Sequence, residues 1–587
     1  MRRSGDSRRR SRWAALGVAG VVLAMNAAAG CGAAPAAVDG GATDDDGAPA
    51  PVDAVNAADA GDAANQETPA AVAACAAPDE PPLVLSNLEY NLTVRDLLGD
   101  LSAPASAFPP DETLAGFRAG VPLTPDRLAA FAQAAIAVGQ SAVTARLAAI
   151  LPCDPKLVGE ESCAQQFLLD FGRRAYRRPL TATDSQALYD AYMQARQTED
   201  FAGGIAAIIA AALNAPHFYQ VEIDPTPGRP ALATGYEMAS RLSYFLYRSM
   251  PDAALFAAAR DGLLTTAEQV AAQVPRMLAD AKASDAVDDF FDQWLNLDSL
   301  DALAAAPGAS ADAAALYTAM KIETATFAQS IFFSRRPWSD LLVSNQTWLN
   351  DALAALYDVP DVAGSQFRAV AVSPDRRAGI ITQASFLAQT SAAPQTFATR
   401  RGAWIAERLL CRDPLLTPII HSDDLAKNAG ETRRQALARI TAPAECATCH
   451  AARDPIGWAL DSFDAQGRYR TTDDDGGPLD TAVTLPPDVL GTPGAAPAVD
   501  GAVALAGAVA QSPAAAACAG QMLFRFALRR PPPSLASADQ TCWPDWLAGR
   551  LDQATDFEQL IVALVTSADF RAVGGCLGSV VSSPGCR

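Results

Sequence analysis

A mainly α-helical protein of several domains is what this sequence predicts, on three observations. Half of the residues are apolar but only 7% are aromatic, with alanine supplying much of the apolar total, a composition that favours helices over β-sandwiches. The 587 residues exceed what one ordinary hydrophobic core uses, so the chain should divide into several units joined by irregular linkers. Apolar residues also recur at helical spacing behind capping signals through most of its length.

Taken in order, residues 1–30 form a class of their own. Arg2, Arg3, Arg8, Arg9, Arg10 and Arg12 make a basic start, and Trp13 to Ala29 is apolar but too short and alanine-rich for a permanent span, the pattern of an export signal. It ends Ala28-Ala29-Gly30-Cys31, which resembles a bacterial lipobox, so Cys31 is the expected lipid-bearing first residue of the mature chain. Residues 31–80 contain ten acidic residues, nineteen alanines and no Lys or Arg, and cannot bury enough surface to fold; they read as a disordered acidic tether.

Helical units are expected over 81–160, 161–225 and 226–365, a motif-bearing unit over 366–480, and a C-terminal helical unit over 481–587. Thr124-Pro125-Asp126 is a cap, a first-turn proline and an acid matched to the helix dipole, after which Leu128, Phe131, Ala135 and Val138 share one face. Further helices are predicted at Cys163 to Tyr176, Thr183 to Gln197, Tyr236 to Tyr247, Ser284 to Asn296, Leu316 to Phe333 and Arg400 to Cys411. The aromatic stripe Phe290, Phe291 and Trp294 is expected to be core packing. From Asp473 to Gly501 the sequence is rich in Asp, Gly and Pro without apolar periodicity, so irregular backbone with short strands is expected. Asp473-Asp474-Asp475-Gly476-Gly477 lacks the alternating ligands of a calcium loop and reads as a solvated turn. No phosphate-binding glycine loop, metalloprotease motif or nucleophile elbow occurs.

With the signal removed, six arginines and Asp6 leave, and the net charge moves from −21 to −26. Nucleic acid and anionic membrane surfaces are poor partners for such a body, and a steered protein partner would present a basic face. No segment after the signal reads as an uninterrupted span, so the lipid on Cys31 would be the membrane anchor, at the periplasmic or outer-membrane surface.

Setting aside Cys31, Cys446 and Cys449, eight of the eleven cysteines remain, an even number that suits disulfides in an exported chain. Cys153 with Cys163 and Cys576 with Cys586 close the shortest loops; Cys518 with Cys542 is plausible, and Cys75 with Cys411 follows by elimination.

One segment carries recognisable chemistry. In Cys446-Ala447-Thr448-Cys449-His450, two thiols can add to the two haem vinyl groups, and the adjacent imidazole then lies under the iron as axial ligand. A zinc site would need a second Cys pair or a nearby His pair, and a thioredoxin-like dithiol would need a preceding strand. One covalently attached haem c is therefore the expected cofactor, with iron on His450.

The flanking residues resemble a family. Gly430-Glu431-Thr432-Arg433-Arg434, the pentad itself, Asp454-Pro455-Ile456-Gly457, Phe463-Asp464 and Gly467-Arg468-Tyr469-Arg470 are similar to the haem-motif domain of large exported bacterial proteins related to the planctomycete-type cytochromes, whose component domains are of unknown function. Glu89-Tyr90-Asn91 with Thr93 to Gly99 resembles the family's first domain, and Phe171 to Leu180 its second. Pro216-His217-Phe218, Arg241 to Leu246 and Arg377-Ala378-Gly379 resemble its middle pieces. Phe526 to Arg530 and Ser567 to Arg571 resemble the C-terminal one, with Arg529 where the family usually has glycine.

For the sixth iron position, His217 lies in a family-matching motif and His421 is nearer in sequence; the alternative is an open site. Trp458, Phe463 and Tyr469 are candidates to close over the haem edge, and Arg453, Arg468 or Arg470 to pair with its propionates; the alternative is ordinary core and solvated charge. The expected function is electron transfer or redox docking with an unidentified redox or surface protein partner. A peroxidase-like oxidoreductase and a scaffold with a secondary haem are the alternatives.

Overall fold

The computed structural model describes residues 83–571 apart from 121–122, 222–231, 393–394, 413–426, 474–475 and 530–554. The export signal, Cys31, the tether, Cys75, His421, Cys542, Cys576 and Cys586 lie outside the described residues. Helices dominate. The short strands pair as antiparallel β1 (Glu112–Leu114) with β2 (Phe117–Ala119), β3 (Gln346–Leu349) with β4 (Arg368–Ala371), and β5 (Ala482–Thr484) with β6 (Ala498–Asp500).

The N-terminal unit contains α1 (Asn87–Leu98), α2 (Pro125–Ile150), α3 (Glu160–Ala175), α4 (Ala182–Ala195), α5 (Phe201–Asn214) and the single turn α6 (Pro216–Tyr219). A capping box starts α1: the Ser86 hydroxyl accepts the Glu89 N–H, and the Glu89 carboxylate accepts the Ser86 N–H. Thr124 caps α2 as expected, and Phe131, Ala135 and Val138 are buried. Leu128 is 38% exposed, contrary to the expected stripe. Arg127 takes the inward place in that first turn, donating to Asn87, to Asp111 and to the carbonyls of Pro109 and Pro110. By length and composition α2 is also apolar enough to cross a membrane, where the sequence reading expected no such segment; here its buried face packs in the N-terminal core.

The remaining described residues are organised by α7 (Gly235–Leu246), α8 (Ala283–Trp294), α9 (Ala311–Phe333), α10 (Ala398–Arg408), α11 (Ala444–Trp458), α12 (Pro513–Leu528) and α13 (Phe557–Thr566). Buried side chains from Met238 to Phe570, with Phe117 of β2, make one continuous hydrophobic core, while a second core draws on residues between Val84 and Tyr219 and takes in Tyr244 and Met250. The stripe of Phe290, Phe291 and Trp294 is core as expected, meeting Phe526 and Phe557 in edge-on contacts.

Buried charge joins the two cores. Glu89, fully buried, pairs with Arg248 at 3.0 Å and with Arg529; Arg248 also reaches Asp289 at 2.8 Å and lies over the Phe526 ring. Burial alone would raise the Glu89 carboxyl, but the two guanidiniums hold it below the usual range. This explains Arg529 in a place that favours glycine. It caps α12 in the left-handed region at φ 51°, a strained backbone for an arginine, and its side chain completes the buried ion cluster.

Two disulfides are present among the described residues. Cys153–Cys163 is the expected short-loop pair. Cys411 bonds to Cys518, which overturns both the Cys75–Cys411 and the Cys518–Cys542 expectations, because the end of α10 packs against α12 and brings their Cα atoms within 5.2 Å.

Candidate functional site

The pentad lies in the first half of α11. Spacings of three and four residues put Cys446, Cys449 and His450 on one face of that helix. The two cysteines are half-buried thiols, not bonded to each other. Pro455 interrupts the hydrogen-bond ladder in the second half, and the helix stops three residues later.

Helix α10 holds α11 by an antiparallel backbone contact that only glycine permits. A Cβ on Gly402 would stand 2.0 Å from the Arg453 carbonyl oxygen, and one on Gly457 would stand 1.8 Å from that of Ala398. Between these crossings Thr399 faces His450 and Asp454. Buried Arg401 then donates to the carbonyls of Leu460, Phe463 and Asp464, fixing the turn after α11.

His450 is only 3% exposed. Its Nδ1 lies 3.1 and 3.0 Å from the two carboxylate oxygens of Asp454, one turn further along, and 3.4 Å from the Thr399 hydroxyl. Thr399 Oγ1 donates to Asp454 at 2.6 Å. Burial pushes the Asp454 carboxyl up against the pull of Thr399 and His450. With Nδ1 bonded to the carboxylate, Nε2 is the free ring nitrogen, and it is buried without a hydrogen-bond partner. A buried imidazole with one nitrogen oriented and the other unused suits a metal ligand. Among the described residues, no three His, Cys, Asp or Glu side chains cluster as metal donors. The donor set is thus one imidazole and two thiols along a helix, which fits covalent haem attachment.

The other proposed contacts divide. Trp458 and Phe463 are buried core residues, 7% and 0% exposed, whereas Tyr469 is 38% exposed beneath Arg376. Arg470 is committed to Asp461 at 2.5 Å and Arg468 is mostly solvent-exposed; Arg453 is buried, 3.8 Å from Glu407. His217 is not brought to the motif in these contacts. Its half-exposed ring packs on Tyr176 at 5.3 Å, with Nε2 3.7 Å from Asp184, both in the N-terminal unit, and burial together with Arg178 lowers its pKa.

Sequence reasoning gave no role to Asp454, Thr399 or Arg401. A carboxylate four residues after the motif histidine on a helix is a signal that could have found Asp454; Thr399 had none.

A buried polar cluster stands behind this segment. Glu323 on α9 accepts hydrogen bonds from Thr347 and Tyr357, both at 2.7 Å, while Arg377 lies 3.7 Å over the Tyr357 ring, stacks on Phe463 and donates to the Gly467 carbonyl. Burial raises the Glu323 carboxyl to about 7 from an ordinary 4.5, although Thr347, Tyr357 and Arg377 oppose the shift. The folded state therefore holds a proton that the unfolded chain releases, and stability falls as pH rises from about 4.5 to about 7, by roughly 3 kcal/mol, and is level above. Glu323→Gln should flatten that slope in urea titrations between about pH 5 and pH 8. An unchanged slope would sink this assignment.

Four family models match consecutive segments: PSD3 (DUF1587) over 84–144, PSD5 (DUF1595) over 163–222, PSD4 (DUF1592) over 233–359 and PSCyt3 (DUF1588) over 377–473, each described as a protein of unknown function. The last spans α10, α11, Arg377 and the pentad. The resembling segments at Phe526 to Arg530 and Ser567 to Arg571 lie outside these matches. No curated protein and no solved structure matches the chain. Four such domains in this order, together covering more than half of the chain, place it in the planctomycete-type, cytochrome c-like multi-domain family.

Proposed function

We propose that this chain is an exported c-type haem protein that transfers electrons, or docks a redox partner, at the cell envelope. The observation that carries the reading is His450, buried, oriented through Nδ1 and left with an unused Nε2 beside two thiols on the same helix face. Cys446 and Cys449 would hold the group by thioethers and His450 would bind its iron. When bound, haem supplies a centre that gains and loses one electron. The protein's part is to fix the imidazole through Asp454 and to exclude water from it through the α10 crossing. The cytochrome name of the matched PSCyt3 domain supports the same reading.

Export is supported by Cys153–Cys163 and Cys411–Cys518, since disulfides persist outside the cytoplasm. The basic and apolar start with Cys31 supports a lipoprotein. Cys31→Ser should move the protein from the membrane fraction to the soluble one; unchanged membrane association would count against the anchor.

The peroxidase-like alternative differs in needing an open iron position, so spin state separates the two. The neighbours of His217 support a surface histidine of the N-terminal unit and not the sixth ligand. Visible spectra of the oxidised and reduced holoprotein should show a low-spin iron for electron transfer, unaltered by His217→Ala. A high-spin ferric iron that binds carbon monoxide once reduced would favour the oxidoreductase. Conversion from low to high spin by His217→Ala would restore that residue as a ligand.

A further inference from the structure

The contact behind His450 is a carboxylate, and a carboxylate does more than orient an imidazole. Both Asp454 oxygens lie at hydrogen-bond distance from Nδ1, at 3.1 and 3.0 Å, and the side chain is largely buried, so water screens the interaction little. Residue spacing fixes the pair, because Asp454 follows His450 by one helical turn. Thr399, from the facing helix, donates its hydroxyl proton to Asp454 Oδ1 at 2.6 Å. That second bond holds the carboxylate in place and withdraws part of its negative charge. The Gly402 and Gly457 crossings set the separation of α10 and α11 at which Thr399 can reach it.

We propose that Asp454, tuned by Thr399, sets the reduction potential of the iron carried on His450. The inference rests on the haem reading and adds a role that attachment alone does not require. A carboxylate acceptor draws the Nδ1 proton toward itself and leaves Nε2 a stronger electron donor. A stronger donor stabilises ferric iron more than ferrous, and the potential falls. Thr399 works in the opposite sense, because its hydroxyl competes for the charge that Asp454 offers to the imidazole.

The two residues therefore predict shifts of opposite sign. In potentiometric titrations of the holoprotein with mediator dyes, Asp454→Asn keeps an acceptor for Nδ1 but removes its charge, and should raise the potential. Thr399→Val frees the carboxylate of its competing donor and should lower it. Thioether-bound haem, measured on the denatured chains, should match wild type in both. An unshifted potential in haem-loaded Asp454→Asn, or shifts of the same sign in the two variants, would overturn the proposal. Should Asp454→Asn yield no holoprotein, Thr399→Val decides alone: a potential below wild type supports the role, and one at or above it refutes it. A wild-type chain that acquires no haem defeats the underlying reading instead, and with it this role.

Discussion

Replacing Cys411 and Cys518 together by serine should lower the unfolding free energy by about 4.8 kcal/mol, the loop-closure contribution for a bridge of sequence separation 107. The same relation gives only about 2.7 kcal/mol for Cys153–Cys163, whose separation is 10. The long bridge joins the end of α10 to α12, and the chain between its cysteines includes all of α11. Losing it frees the denatured chain and also loosens one end of the helix that presses on the pentad. Urea denaturation of the double variant under oxidising conditions measures the effect. A loss no greater than that of Cys153→Ser with Cys163→Ser would contradict the loop argument.

Replacing Cys446 and Cys449 together by alanine should reduce covalently bound haem from one per chain to none. Each thiol supplies one thioether, and coordination by His450 alone does not survive denaturation. Cys449→Ala leaves at most one thioether and should give a much lower yield of holoprotein. The fold should persist, since neither thiol is bonded within the protein or counted in either hydrophobic core. Haem-stained gels beside circular dichroism of the same samples separate loss of attachment from loss of structure. Covalent haem retained by the double variant would remove both cysteines from the site.

Local features were legible because they are written in adjacent residues. The helix expected at Ser284 to Asn296 is Ala283–Trp294, and the one expected at Arg400 to Cys411 is Ala398–Arg408. Caps such as Thr124, and the Cys153–Cys163 pair, needed only short spacing. What escaped depends on packing between distant segments. Cys411 meets Cys518 only because α10 ends against α12, and elimination among eight cysteines has no access to that contact. Arg529 looks like a misplaced cap until Glu89, 440 residues away, accepts its guanidinium. Periodicity places Leu128 on the buried face because it does not reveal that Arg127 has four oxygen acceptors waiting inside.

The site divides the same way. Spacing alone marks Cys446, Cys449 and His450 as one attachment motif, and the structure adds the helix that puts them on one face, the burial of His450 and its orphaned Nε2. Thr399 stands 51 residues before His450, and its place beside the imidazole follows from two glycine crossings that no periodicity marks. Among the arginines, sequence could not separate Arg470, held by Asp461, from exposed Arg468.

The most direct test of the central claim is haem retention. The protein, exported from a host with a c-type maturation system, is denatured, extracted with acidified acetone and read as its pyridine complex in alkali. Thioethers from Cys446 and Cys449 should keep the haem on the polypeptide, with the spectrum of haem c in the pellet. Haem passing wholly into the acetone, or a chain that never acquires any, would contradict the account.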